Sequence, residues 1–163
     1  MLTQSQLKEI LDYDASTGLF VWKKRLSCRI RIGDIAKSPT DKGYIRIGIN
    51  GTRYVAHRLV FLWMTGINPP EQVDHINGNR SDNRFCNLRL ATNRENSYNN
   101  RKRNSNTSGY KGVSFVPHIK KWHAYVDNKD GRHLVGYFSE LSDAAIAVKS
   151  AREKLHGEFA RHE

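Results

Sequence analysis

Asp74 and His75 stand side by side in the stretch VDHINGNRSDNRFCNLRLATNREN, and Asn87 and Asn96 follow them in the same stretch. A carboxylate is a hard oxygen ligand suited to Mg2+ or Mn2+, and the carboxamide of Asn96 adds a neutral oxygen, which leaves coordination positions open for phosphate oxygens and water. An imidazole with its ordinary pKa of about 6.5 is largely neutral at physiological pH and can accept a proton from water. Hydrolysis of a phosphodiester needs these two things, an activated water and a positive charge to carry what builds up on the phosphate and leaving oxygens. The set therefore predicts Asp74 and Asn96 as metal ligands, His75 as general base, and Asn87 as an uncharged residue that holds the His75 segment in register. Arg89 and Arg94 are suited to holding the phosphate. Successive residues of a strand point to opposite faces, so Asp74 and His75 act together only if the chain bends, and Asn77-Gly78-Asn79 supplies a bend. A calcium loop of the EF-hand kind is excluded, because counting from Asp74 puts Ile76, Gly78 and Phe85 where oxygen ligands belong.

The elements that position these residues are short. Val73 to Ile76 and Leu88 to Leu90 read as two extended pieces joined by a polar loop, and Thr92 with Glu95 forms a capping box that starts a helix through about Asn99. Upstream, Thr3 with Gln6 caps a first helix with Leu7, Ile10 and Leu11 on one face, ending near the turn Asp14 to Gly18. Leu19 to Trp22 reads as a strand, and Tyr44–Ile49 and Thr52–Val55 flank Asn50-Gly51 as a hairpin. His57 to Thr65 reads as a helix closed by Gly66 and Pro69-Pro70; His57 at its start is taken as a packed or capping residue and left out of the site. In the last third, Gly112–Val116, Lys121–Val126 and Leu134–Phe138 suit strands, with a turn at Asn128 to Gly131. Ala144, Val148, Ala151 and Leu155 then line one face of a helix.

The charge balance names the partner. Lys and Arg outnumber Asp and Glu by 27 to 16 in 163 residues, a formal net charge of +11, with an isoelectric point near 9.9. Such chains meet polyanions, nucleic acid first. The charge is clustered: Lys23, Lys24, Arg25, Arg29 and Arg31 lie in a stretch with no acid between Asp14 and Asp34, and none lies between Glu95 and Asp127. No long amphipathic helix, lipid anchor, secretory signal or membrane span is visible, so the expectation is a soluble protein in the cytoplasm. Cys28 and Cys86 have no partner at zinc-binding spacing and are expected as reduced thiols.

The segment DHINGNRSDNRFCNLR followed by REN resembles the HNH endonuclease family with its ββα-metal fold, especially the homing-type enzymes of phages and mobile elements. LDYDASTGLFVW and YVAHRLVFLWMTG extend the resemblance over roughly residues 5 to 100. It implies that Asp74-His75, Asn87 and Asn96 are the active-site positions, with Asn96 where many members carry His, and that cleavage leaves 5′-phosphate and 3′-hydroxyl ends. SGYKGVSF, KWHAYV, RHLVGYFSELSDAAIAV and LHGEFA together resemble the plant ethylene-response-factor (apetala-two) DNA-binding domain, a three-stranded antiparallel sheet packed on one helix. That likeness implies recognition of DNA by the sheet. Ser114, Asp127 and Leu134 depart from the Arg, Arg and Trp usual there, so the plant target sequence does not carry over. Trp122, Tyr137 and Phe138 are expected in the core.

The sequence thus predicts an α+β chain: an HNH module over residues 1–98 with its motif at about 73–99, a basic linker over 99–108, and the second domain over 109–160. The expected activity is hydrolysis of double-stranded DNA with Mg2+ or Mn2+, one strand at a time for a monomer, without an obligatory protein partner or a membrane. Arg89, Arg94, Arg101, Lys102, Arg103, Lys111, Lys120, Lys121 and Arg132 are the expected DNA contacts. The rival readings are a non-catalytic DNA-binding regulator on the same scaffold and an RNA-binding accessory protein. Neither accounts for the Asp-His-Asn-Asn set.

Overall fold

The computed structural model describes residues 2–100, 102 and 104–162. It is a mixture of helices and small antiparallel sheets, an α+β chain that divides into two compact units between Thr92 and Asn93. No helix among the described residues is long and apolar enough to cross a membrane.

The first unit opens with the capping box: Thr3 Oγ1 accepts from the Gln6 amide at 3.2 Å, and Gln6 Oε1 accepts from the Thr3 amide at 3.0 Å. Helix α1 (Gln4–Ile10) buries Leu7 and Ile10 and stops where Leu11 turns extended. Strand β1 (Leu11–Asp14) follows at once and pairs antiparallel with β2 (Leu19–Trp22). The sequence reading misses β1, because LDYD continues the apolar spacing of α1 with no Gly or Pro between. Its turn is organised by Asp14, whose carboxylate accepts from the Ser16 amide at 2.8 Å and from the Thr17 hydroxyl at 2.8 Å.

A three-stranded sheet comes next, in the order β3 (Ser38–Pro39), β4 (Ile45–Ile49), β5 (Thr52–Val55). The β4–β5 hairpin turns through Asn50 and Gly51, both at positive φ (50° and 79°), as a two-residue turn of this kind requires. Helix α2 (Ala56–Thr65) ends on Gly66 in the left-handed region at φ 75°. Leu7, Leu11, Phe20, Ile49 and Val60 form the centre of the core, each at 2% exposure or less. Against that core lies the hairpin of β6 (Gln72–His75) and β7 (Leu88–Ala91), antiparallel with Asp74 opposite Arg89 and His75 opposite Leu88.

The second unit begins with α3 (Asn93–Tyr98) and contains the sheet β8 (Val113–Val116), β9 (Lys121–Asn128), β10 (Gly131–Phe138), with β9 central, and α4 (Leu141–His156). Val113, Ala124, Val126, Ala144 and Val148 are its core, with Trp122, Val135 and Phe138 packed against it. Two expectations need correction. The stripe that α4 buries runs Ala144, Val148, Arg152, His156, while Leu155 is 39% exposed. The two polar residues can be buried because each finds partners: Arg152 donates to the Lys111 carbonyl, and His156 Nε2 donates to the Asp127 carbonyl at 2.8 Å while its ring stacks on Tyr98 at 3.8 Å. Tyr137, expected in the core, is 49% exposed; it sits opposite His123 on the outward face of the sheet, where the two rings stack at 5.1 Å.

Candidate active site

The loop between β6 and β7 is made rigid by its own side chains. NGNRSDNR is rich in residues that bond to backbone two or three positions on. Here the Asn79 amide donates to Asn77 Oδ1 at 2.8 Å, the Ser81 amide to Asn79 Oδ1 at 3.2 Å, and Gly78, at φ 67°, donates to the His75 carbonyl at 2.7 Å. Arg84 clamps Asp82 with two bonds of 2.8 and 2.7 Å, which holds the Asp82 carboxyl at about 2. The loop is then fastened to the rest of the unit. The Tyr13 hydroxyl donates to the Asn83 carbonyl at 2.9 Å, and Arg80 donates to the Lys42 carbonyl at 3.0 Å with its guanidinium over the Tyr44 ring.

Asn87 closes this loop from the β7 side. Its Oδ1 accepts from the Asn77 amide at 3.0 Å, and its Nδ2 donates to Asn77 Oδ1 at 3.1 Å and to the Asp82 carbonyl at 2.8 Å. One carboxamide thus ties both ends of the segment that follows His75, and the Ile76 amide adds a bond to the Asn87 carbonyl at 2.9 Å.

Asp74 and His75 are the last two positions of β6, where the strand gives way to the turn at Gly78, and they meet different neighbours. The Asp74 carboxylate, 6% exposed, faces Arg89 across the hairpin: Oδ2 accepts from Nε at 3.0 Å and from Nη2 at 2.8 Å. His75, 3% exposed, is walled by Tyr44 and by His57, whose ring stands edge-on at 5.0 Å between centroids. Asn83, 1% exposed, supplies the polar contact, His75 Nε2 to Asn83 Oδ1 at 3.2 Å. The Asn83 amide is oriented by its own Nδ2, which donates to the Ser81 carbonyl at 3.2 Å. Its oxygen therefore faces the imidazole, Nε2 carries the hydrogen, and Nδ1 is the basic nitrogen of the neutral ring. Burial pushes the His75 pKa below its usual value, outweighing the hydrogen bond it donates to Asn83 and the charge of Asp74, so the ring is neutral at physiological pH. His57, the residue set aside by sequence reading, is pushed down to about 3 by burial first and by His75 second. Tyr44, His57 and Asn83 are the neighbours that sequence reasoning missed; only the polar Asn83 lay within the motif, and its spacing gave no sign that it would turn inward.

The remaining predicted positions are spread over the second unit. Asn96 lies on α3. Arg94 donates to the Lys129 carbonyl at 2.8 Å. Lys111 is half-buried, donates to the Tyr98 and Asn100 carbonyls at 2.8 and 2.7 Å, and is pushed down to about 8 by that burial. Lys102 donates to the Gly109 carbonyl at 2.8 Å. Lys120 and Lys121 are exposed at the start of β9. Arg132 pairs with Asp127 at 3.0 Å and lies over the Tyr125 ring at 4.0 Å. Arg101 and Arg103 lie outside the described residues.

Residues 54–98, from β5 through the hairpin and α3, match the family model described as HNH endonuclease. Over 89 residues the chain is 38% identical to Protein 3.8 of Escherichia phage T7, an alignment that covers 55% of this chain and 73% of that protein. The chain belongs to the family of Protein 3.8 and carries an HNH endonuclease domain. No solved structure matches. The HNH segment contains all four residues singled out for chemistry, Asp74, His75, Asn87 and Asn96, and also His57, which walls His75. A domain of this family points to a nuclease acting on nucleic acid.

Proposed function

We propose that this chain is a metal-dependent HNH endonuclease of the homing type that hydrolyses phosphodiester bonds of double-stranded DNA, with the second unit providing DNA binding. The observation that supports it most is a buried carboxylate and a buried neutral imidazole at successive positions of one strand, inside the segment that matches the HNH family. The hairpin chemistry fits a hard divalent ion through the Asp74 carboxylate, a hard oxygen donor whose negative charge is balanced here by the Arg89 guanidinium. Asp74 and Asn96 are the residues that would hold Mg2+ or Mn2+, and the ion would supply charge to the phosphate and leaving oxygens. Among the described residues no three His, Cys, Asp or Glu side chains converge on a metal position, so carboxamide, phosphate and water oxygens would complete its shell.

The chain's own residues do the rest. His75 Nδ1 takes the proton of the attacking water, and the bond from Nε2 to Asn83 steadies the imidazolium that results. Asn87 keeps the His75 segment in place through Asn77 and Asp82. In the second unit the outward face of the sheet, with His123, Tyr125, Tyr137 and Arg132, supports DNA contact. The test is incubation of the purified protein with supercoiled DNA and Mg2+ or Mn2+, with chelator and His75→Ala controls. Metal-dependent nicks that vanish in H75A, with DNA binding retained, are expected. Binding without cleavage of any DNA from its source or host would overturn the nuclease.

A further inference from the structure

The segment between β2 and β3 is the most basic stretch of the first unit that the site leaves unused. Lys23, Lys24, Arg25, Arg29, Arg31 and Lys37 are all exposed, against a single acid, Asp34. Charge runs of this kind are commonly no more than solvated surface. Two features separate this one from that.

The first is that its apex is built. Asp34 donates its amide to the Arg31 carbonyl at 3.2 Å, closing a four-residue turn with Gly33 at φ 91° in the third position, the positive φ a type II turn demands. The Asp34 side chain also accepts from the Arg31 amide at 3.3 Å. The turn is stapled to β2 by the Trp22 amide to the Asp34 carbonyl at 3.0 Å and the Gly33 amide to the Trp22 carbonyl at 2.8 Å, then by the Val21–Ile35 bridge and the Ala36 amide to the Phe20 carbonyl at 2.8 Å. Trp22 and Phe20 belong to the core, so the turn is fixed to the core of the unit.

The second is what the apex carries. Ile32, at the second position of the turn, is 70% exposed, with Ile35 beside it at 44%. A solubilising loop would place a polar residue there. An exposed β-branched side chain on a rigid tip, flanked by Arg29 and Arg31, is how proteins press an apolar wedge against base steps while cations hold the flanking phosphates. Arg25 commits its guanidinium to the Ser27 and Cys28 carbonyls and Lys23 its ammonium to the Lys8 carbonyl. Arg29 and Arg31 make no such side-chain bond among the described residues.

We propose that the Arg31–Asp34 turn is a duplex-DNA contact of the first unit, in which Ile32 enters the minor groove against a base step and Arg29 and Arg31 neutralise phosphates on either side. The choice of DNA as the partner rests on the proposed function. The contact itself is independent of catalysis, so it is measured in chelator, where no strand is cut.

The probe is a short mixed-sequence duplex labelled at both ends, titrated with the full chain over a series of salt concentrations. Binding is read by anisotropy and bending by energy transfer between the ends. Arg29→Gln with Arg31→Gln should lower the slope of log K against log salt by about two, one for each phosphate that is no longer neutralised. Ile32→Asn should leave that slope unchanged, weaken binding by about tenfold and reduce the bend. All three side chains are exposed, so melting temperatures should match the parent and any weakening of binding belongs to the DNA interface. An unchanged salt slope in the arginine pair would overturn the surface. A normal affinity and bend for Ile32→Asn would overturn the wedge. Both expected effects in a protein that never cleaves would leave this interface standing and remove the nuclease.

Discussion

Replacing Arg89 by Met should destabilise the first unit sharply, and a divalent ion should return much of the loss. The guanidinium places two donors on one oxygen of Asp74, at 3.0 and 2.8 Å, with side-chain exposures of only 11% and 6% for the two partners. An intact buried pair contributes little net stability, because desolvation offsets the attraction. Removing one partner is different, since the other charge stays in a poorly solvated position, and the cost is about 3–5 kcal/mol. Met keeps most of the packing of the arginine stem, so the loss reports charge more than volume. Asp74→Asn in the Arg89→Met background should recover most of it, because the buried charge that lost its guanidinium is then removed. Mn2+ should also recover part of it: ion at a hundred times its dissociation constant adds about 2.7 kcal/mol to a state that alone binds it. The parent, whose carboxylate already holds a cation, should gain less. The assay is urea unfolding followed by the fluorescence of Trp22 and Trp63, both in this unit, with and without Mn2+, for the parent, each single variant and the double. An Arg89→Met midpoint equal to the parent, or a loss that Asp74→Asn fails to relieve, would refute the argument.

Three further outcomes follow from the same geometry. His57 is held at about 3 in the folded state against an ordinary 6.5. The folded state therefore disfavours the proton that the unfolded chain accepts, so His57 contributes stability that is complete above about 6.5 and lost as pH falls toward 3, a span worth on the order of 5 kcal/mol. His57→Phe should flatten that acid limb in unfolding curves taken at a series of pH values, and an unchanged limb would assign it elsewhere. Asn87→Asp replaces an amide donor that bonds Asn77 Oδ1 and the Asp82 carbonyl with a carboxylate facing the same oxygens. It should cost about 1–3 kcal/mol in urea unfolding and lower cleavage with binding intact. Gly18→Ala would add a β-carbon at φ 75° in collision with the backbone of Asn83 and Arg84. It should destabilise by about 2–4 kcal/mol and displace Asn83, seen as a shift of the His75 ring resonances; unmoved resonances would show that the loop yields without disturbing the site.

What could be read from the sequence was whatever is decided within a few residues. The Thr3–Gln6 box, the Asn50-Gly51 turn and the Asx-rich loop are local hydrogen-bond choices, and the structure shows each made as its residues dictate. Other features depend on contacts between distant parts of the chain. Tyr44, just before β4, and His57, on α2, reach His75 from far back in sequence, and nothing in VAHRLV distinguishes a histidine that meets another ring from one that caps a helix. Arg152 and His156 broke the apolar stripe expected of α4 because the Lys111 and Asp127 carbonyls accept from them, and periodicity counts side-chain type without knowing what will face it. Strand β1 was hidden for the same reason, as its pairing with β2 overrides a helical spacing that LDYD satisfies equally well. The motif therefore disclosed which atoms could do chemistry. Which protonation state His75 holds, and which cation Asp74 faces, were decided by residues outside the Asp-His-Asn-Asn set, and those neighbours are where substitutions should separate positioning from reaction.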